Sequence, residues 1–139
     1  MEIIVFSVIA FLGFLIFKIF WEILKEKTPF IPTPIFTIKK IINEIEIKEN
    51  DFVYDLGSGD GRFLFEAYFK NPSAFYVGIE KKFFPYLLSR IKLLFLKIKF
   101  KEIDKKIKFY RQDLLKSNLC KANLIYLYLS PAVLKILEP

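Results

Sequence analysis

The 139-residue chain has no histidine and a single cysteine, Cys120. Histidine-based acid–base catalysis and histidine-ligated metals are therefore excluded. So are an intrachain disulfide and a cysteine-cluster metal site. Cys120 reads as a small core residue or a loop thiol. Glycine is also scarce, with only Gly13, Gly57, Gly59, Gly61 and Gly78. A chain that makes most of its turns without glycine should keep it where a side chain cannot fit. Acidic charge is missing along one stretch. Residues 81 to 108 carry ten Lys/Arg against two acids, whereas the other 111 residues carry twelve against thirteen. The net charge of +7 is thus concentrated in that stretch. It suits an anionic surface, either membrane or nucleic acid, or else forms a solvated basic helix face.

Apolar residues are abundant, at 54% of the chain. Residues 3 to 17 carry no charge, and the apolar run resumes after Lys18 through Ile19, Phe20 and Trp21 to Leu24. As a helix, the 22 residues from 3 to 24 would extend about 33 Å, enough to span a bilayer. Lys18 can snorkel to the headgroups, and Trp21 suits the interface. A signal peptide would carry its basic residues before the apolar run; here Lys18, Lys25 and Lys27 come late in it or after it. That asymmetry predicts a single anchor at residues 1 to 24, with the remainder in the cytoplasm. A signal peptide and a buried helix are the rival readings.

Residues 28 to 34, Thr-Pro-Phe-Ile-Pro-Thr-Pro, cannot be regular helix. They read either as a stiff linker or as a strap over a ligand site. Ile35, Ile38, Ile41, Ile42 and Ile45 then repeat with helical period over 35 to 47. A polar turn over 48 to 51 leads into the first strand, Phe52 to Leu56. Residues 51 to 139 form the core domain, and 25 to 50 lead into it.

The chain is organised around Asp51 to Arg62, read as strand, glycine loop, helix. Gly57, Gly59 and Gly61 let backbone N–H groups approach a nucleotide-like ligand, and the helix start favours a carboxylate or phosphate. The spacing is G-x-G-x-G, not that of dinucleotide binders, and no Gly-Lys-Ser/Thr follows. With Asp55 and Asp60 in the motif, a cationic or neutral ligand bearing an amino-acid tail fits better than a bare phosphate. After a break at Asn71-Pro72-Ser73, a second strand over 75 to 80 ends on Glu80. An acid there, about 20 residues beyond the loop, is placed to take ribose hydroxyls. Pro85 opens a long helix, Ile107 to Arg111 alternates as a third strand, and Ala122 to Leu129 forms a fourth. Ser130-Pro131 starts a short helical stretch. Strand–helix alternation implies an α/β parallel sheet in the order 3-2-1-4.

Asp-Leu-Gly-Ser-Gly-Asp-Gly, at 55 to 61, resembles the first motif of the class I S-adenosylmethionine-dependent methyltransferases. The resemblance covers residues 28 to 139. With Tyr-Leu-Ser-Pro at 128 to 131, it is nearest to small membrane-anchored bacterial relatives of mitochondrial protein-lysine methyltransferases. It implies a Rossmann-like sheet and S-adenosyl-L-methionine as cofactor. The implied cofactor residues are Asp55, Leu56, Gly57, Ser58, Gly59, Asp60, Gly61, Glu80, Gln112 and Asp113, with Asp113 meeting the adenine amino group. Thr33, Tyr128, Ser130 and Pro131 would line the acceptor side. No catalytic base is assignable. The Asn-Pro-Pro-Tyr motif of adenine-N6 and glutamine methyltransferases is missing at 128 to 131, which argues against DNA and release-factor substrates, and no specific nucleic-acid partner is expected. The implied partners are the bilayer and a lysine of a membrane protein. A lipid or quinone acceptor, or a non-catalytic membrane-bound cofactor binder, remains open. Members of the family normally continue beyond the fourth strand. The expectation is a C-terminally truncated, weak or inactive form, or one whose fourth strand is covered by another copy in a homo-oligomer.

Overall fold

The computed structural model describes residues 2–25 and 31–129. Helix α1, Glu2–Lys25, continues without a break through Gly13, whose missing Cβ would meet nothing within 4 Å. The expectation that every glycine marks a crowded place is therefore wrong here. The span Glu2–Trp21 is apolar apart from Glu2, Ser7 and Lys18, and its side chains lie exposed rather than in a core of the described residues. By length and composition α1 can cross a bilayer.

Helix α2, Ile35–Glu44, is shorter than its periodicity predicts. Ile45 turns extended, and the chain beyond it lays Ile45 and Ile47 against the core. Asn71 holds that segment by donating from Nδ2 to the Ile47 carbonyl at 2.7 Å. Asn50 takes the left-handed conformation (φ 64°) at the predicted polar turn.

Four parallel strands follow: β1 Phe52–Leu56, β2 Phe75–Glu80, β3 Ile107–Arg111 and β4 Leu124–Leu127. Their order is β3-β2-β1-β4, as expected. Helices α3, Arg62–Lys70, and α4, Phe83–Lys99, make the crossovers, and a one-turn helix α5, Ile103–Lys106, precedes β3. Both crossovers run the same way along the sheet, so right-handedness puts their helices on one face. The main core lies there. It joins Ile38 and Ile42 of α2, Phe63, Leu64 and Ala67 of α3, and Leu93 of α4 to Val53, Tyr76, Ile107 and Phe109 of the sheet. Burying a side chain such as Phe63 contributes about 1.5–3 kcal/mol. Phe63 also stacks on Tyr126 at 3.9 Å between ring centroids, tying α3 to β4.

The opposite sheet face has a smaller cluster, Tyr54, Leu56 and Ile79, packed by Leu114, Leu119 and Ala122 of the β3–β4 connection. Fewer residues of the fourth strand are extended than predicted. Asn123 lies outside β4 and instead accepts the Phe52 N–H on Oδ1 at 2.8 Å. Nor is β4 buried on both faces like a central strand. Leu124 and Tyr126 turn to the core, while Ile125 and Leu127 are exposed among the described residues.

Candidate cofactor site

The site forms where β1 stops. Gly57, Gly59 and Gly61 all have positive φ, at 88°, 54° and 78°. The need for glycine is plainest at Gly61, where an added Cβ would lie 2.5 Å from Phe109 Cζ as well as being strained. The loop is pinned to its neighbour strand. The Gly57 and Ser58 N–H groups donate to the Ile79 carbonyl at 2.8 and 3.0 Å. The buried Gly59 N–H donates to Glu80 Oε2 at 2.9 Å, and the Lys82 N–H donates to Oε1 at 2.7 Å. Glu80, expected only to meet a ribose, thus also clamps the glycine loop. Each oxygen keeps a further lone pair for a ligand hydroxyl.

These elements enclose a cavity of about 640 Å³, within the range of small-molecule sites. Of the residues predicted to line it, Asp55, Gly57, Ser58, Gly59, Asp60, Glu80, Gln112, Asp113, Thr33 and Tyr128 do so. Leu56 and Gly61 do not. Leu56 packs in the small cluster on the far face of the sheet, and Gly61 faces Phe109. Ser130 and Pro131 lie outside the described residues. Ile31, Pro32 and Thr33 also line the cavity, so the described part of the proline-rich segment lies as a strap at the site, and residues 28–30 lie outside the described residues.

Polar groups around the loop fall into two sets. Asp55 is fully enclosed, and its carboxyl pKa is raised well above the usual 3.8, first by burial and then by the nearby charges of Glu80 and Asp60. No cation or hydrogen bond of a described residue answers it. Of the buried side-chain oxygens on the same cavity, Ser58 Oγ has no hydrogen-bond partner among the described residues, while the Tyr126 hydroxyl, raised in pKa by burial, has the Thr33 side chain beside it as a hydrogen-bonding group that offsets part of that rise. Buried polar atoms without partners are rare and costly. A buried Asp55 facing only like charges and an unpartnered Ser58 Oγ on one cavity fit a ligand that supplies both a cation and hydrogen-bonding groups.

Asp60 is the contrary case. Its carboxylate takes the Arg62 guanidinium in a fork, Nε to Oδ1 and Nη2 to Oδ2, both at 2.9 Å, and Lys92 of α4 as well. Burial opposes ionisation of Asp60, but these two cations outweigh it and hold its pKa below the usual value. Arg62 Nη1 also donates to the Thr33 carbonyl at 3.0 Å, latching the strap to the loop. Asp60 lines the cavity as expected and in addition anchors the loop through charge pairs. Asp113 is likewise engaged. It pairs with Lys81 at 2.9 Å and accepts the Leu115 N–H at 3.1 Å, and the hydrogen bond from Lys81 lowers its pKa. Gln112 is exposed and donates to Ser117 Oγ at 2.9 Å.

Sequence reading missed Arg62, Lys92 and Tyr126. The Arg62 latch had a faint signal, a cation directly after the motif with an acid two residues before it. Lys92 looked like any lysine of the basic stretch, and Tyr126 like any strand aromatic.

The fold has solved counterparts. An RNA methyltransferase from Salinibacter ruber, in complex with S-adenosyl-L-homocysteine, is 30% identical over 77% of this chain, with a TM-score of 0.66. A precorrin-6y C5,15-methyltransferase from Geobacter metallireducens shares the fold at a TM-score of 0.53 and 12% identity, covering 66% of this chain and 46% of its own. A short stretch of 39 residues, 28% of this chain, is 38% identical to a protein-lysine N-methyltransferase of Saccharolobus islandicus (strain REY15A). The chain spans 66% of the length of the Salinibacter structure and 24% of the Saccharolobus protein. No family model matches. By strand order, the loop at the end of β1 and the structural kinship, the chain has the Rossmann-like fold of the class I S-adenosylmethionine-dependent methyltransferases.

Proposed function

We propose that this cavity binds S-adenosylmethionine and that the chain is a methyltransferase acting at a membrane, with a lysine of a membrane protein as acceptor. The observation that carries the cofactor assignment is the buried Asp55 on the cavity at the positive-φ glycine loop, with no cation of a described residue against it and the unpartnered Ser58 hydroxyl in the same lining. A ligand ammonium facing Asp55 would restore its ionised form. Glu80 would hold the ribose hydroxyls while it keeps the loop in place. The cofactor supplies an electrophilic methyl on a sulfonium, and the acceptor must arrive as a neutral nucleophile. The chain's own part is to orient both and to keep water out. The strap, fixed by Arg62, covers one side, and Tyr128 lines the cavity on the other.

Support for lysine is the match to the Saccharolobus enzyme, and support for the membrane is α1. The name of the Salinibacter relative favours a second acceptor class, RNA. The test is calorimetry with S-adenosylhomocysteine, followed by transfer of a labelled methyl to native membranes. Uptake into protein that resists nuclease and gives methyl-lysine on hydrolysis is expected. Label lost to ribonuclease would replace lysine by RNA, label in the lipid extract would replace it by a lipid, and no binding would overturn the proposal. Under this reading the exposed β4 edge is where a second copy would add, which size measurement in detergent would reveal.

A further inference from the structure

Helix α4 carries an outer face that the fold leaves bare. Pro85, Ser89 and Leu93 point inward. On the other side Phe84, Ile91, Leu94, Phe95 and Ile98 fall within one stripe about 100° wide at 100° per residue. Leu94, Phe95 and Ile98 are 67%, 68% and 78% exposed. Cations border the stripe on both sides. Arg90 and Lys97 lie along one edge, and Lys92 and Lys99 along the other. Residues 81 to 101 hold seven Lys/Arg and no acid. Among these, Lys97 pairs with Asp104 and Lys92 with Asp60, and Lys99 lies over the Phe100 ring.

We infer that α4 docks flat on the surface of an anionic bilayer, with this apolar stripe in the acyl boundary and its flanking cations among the headgroups. The inference rests on the membrane reading above and adds a second contact. Three observations select the lipid surface. First, an exposed stripe of Phe, Leu and Ile needs an apolar partner, which a nucleic-acid backbone does not offer. Second, Lys81, Lys92 and Lys97 are paired with acids of other elements, but the stretch itself holds no acid, and Arg90 and Lys99 border the stripe with Lys101 just beyond it. Two copies would therefore set cations against each other across a symmetric contact, whereas anionic headgroups complement them. Third, α1 touches α4, so an inserted anchor would hold α4 close to the surface. The helix, 17 residues or about 26 Å long, would then fix which way the domain faces, a restraint that one anchor and a linker cannot supply.

The test uses the full chain in vesicles, with Cys120→Ser as background and a spin label at Phe95→Cys or Ile98→Cys. In vesicles containing phosphatidylglycerol the label should be accessible to oxygen and shielded from a water-soluble nickel reagent. In pure phosphatidylcholine, or with Arg90, Lys99 and Lys101 all changed to Glu, the immersed population should fall about tenfold or more. Flotation separates the two readings. A chain that does not float with vesicles lacks the anchor, and the membrane reading fails with it. A chain that floats while the label stays in water overturns α4 docking alone. Shielding in detergent that grows with protein concentration would assign the stripe to a second copy and also overturn docking.

Discussion

The two flanks of the glycine loop hold acids five residues apart that behave in opposite ways. Asp60 is met by Arg62 and Lys92 and ionises readily, whereas Asp55 is buried without an answering group and resists ionisation. The Asp60 flank is a finished piece of structure that fastens strap, loop and α4 together. The Asp55 flank is finished only when something enters the cavity. The same residue type in one motif therefore does two jobs, and the neighbours decide which.

The strongest way to break the comparison is to remove what both flanks share. Gly59→Val puts a branched side chain at a positive φ in the loop and should abolish S-adenosylhomocysteine binding, a loss beyond about a hundredfold. Unchanged calorimetric affinity in a folded variant would disprove the site. Asp55→Asn acts on the open flank alone. Loss of a charged hydrogen-bonding partner is worth about 1.5–3 kcal/mol, so affinity should drop about ten- to a hundredfold. The empty variant should melt at a higher temperature than the parent at neutral pH, because asparagine removes the cost of holding a carboxyl protonated in the cavity that would be ionised in the unfolded chain. A lower melting temperature would mean that Asp55 is structurally satisfied.

Asp60→Asn acts on the closed flank and should show the reverse. Stability should fall by about 1–3 kcal/mol, because Arg62 and Lys92 lose a charged partner, while affinity changes less than it does in Asp55→Asn. Arg62→Lys is gentler. Lysine cannot reproduce the fork to Asp60 together with the bond to the Thr33 carbonyl, so the strap should loosen, with proteolysis there rising while the fold persists.

The smallest effect is in pH, and its sign differs between the flanks. Asp60 has a lowered pKa in the fold, so its stabilisation is complete above the unfolded value, about 4, and is lost as pH falls through the folded one. Asp55 has a raised pKa, so the folded state binds the extra proton. Its contribution to the empty protein's stability therefore declines as pH rises from about 4 up to its folded value. Denaturation of Asp55→Asn across that range should lack this decline, and saturating ligand should shrink it in the parent.

Much of the fold was legible because the signals are local. Strand period, the glycine loop and the helix-breaking Asn71-Pro72 each act within a few residues, and right-handed crossovers then force the order 3-2-1-4. Glu80 was readable for the same reason, since a strand end next to the loop is set by topology. The end of α2 was not. The helical period continued through Ile45, but packing of Ile45 and Ile47 against the core pulled the chain extended.

By itself the sequence determined the membrane-length apolar run, the α/β class and the place of the ligand loop, because chain-local hydrophobic period and backbone freedom decide those. Only the tertiary structure decided what each polar group does. Asp60 became an anchor because α4 brings Lys92 to it from 32 residues away. Asp55 stayed open because the sheet buries it on a side where no cation of a described residue arrives. Thr33 joined the site because Arg62 reaches back 29 residues to its carbonyl. A carboxyl's charge state depends on burial and on partners within a few ångströms, and such partners are spatial neighbours that one-dimensional spacing does not reveal.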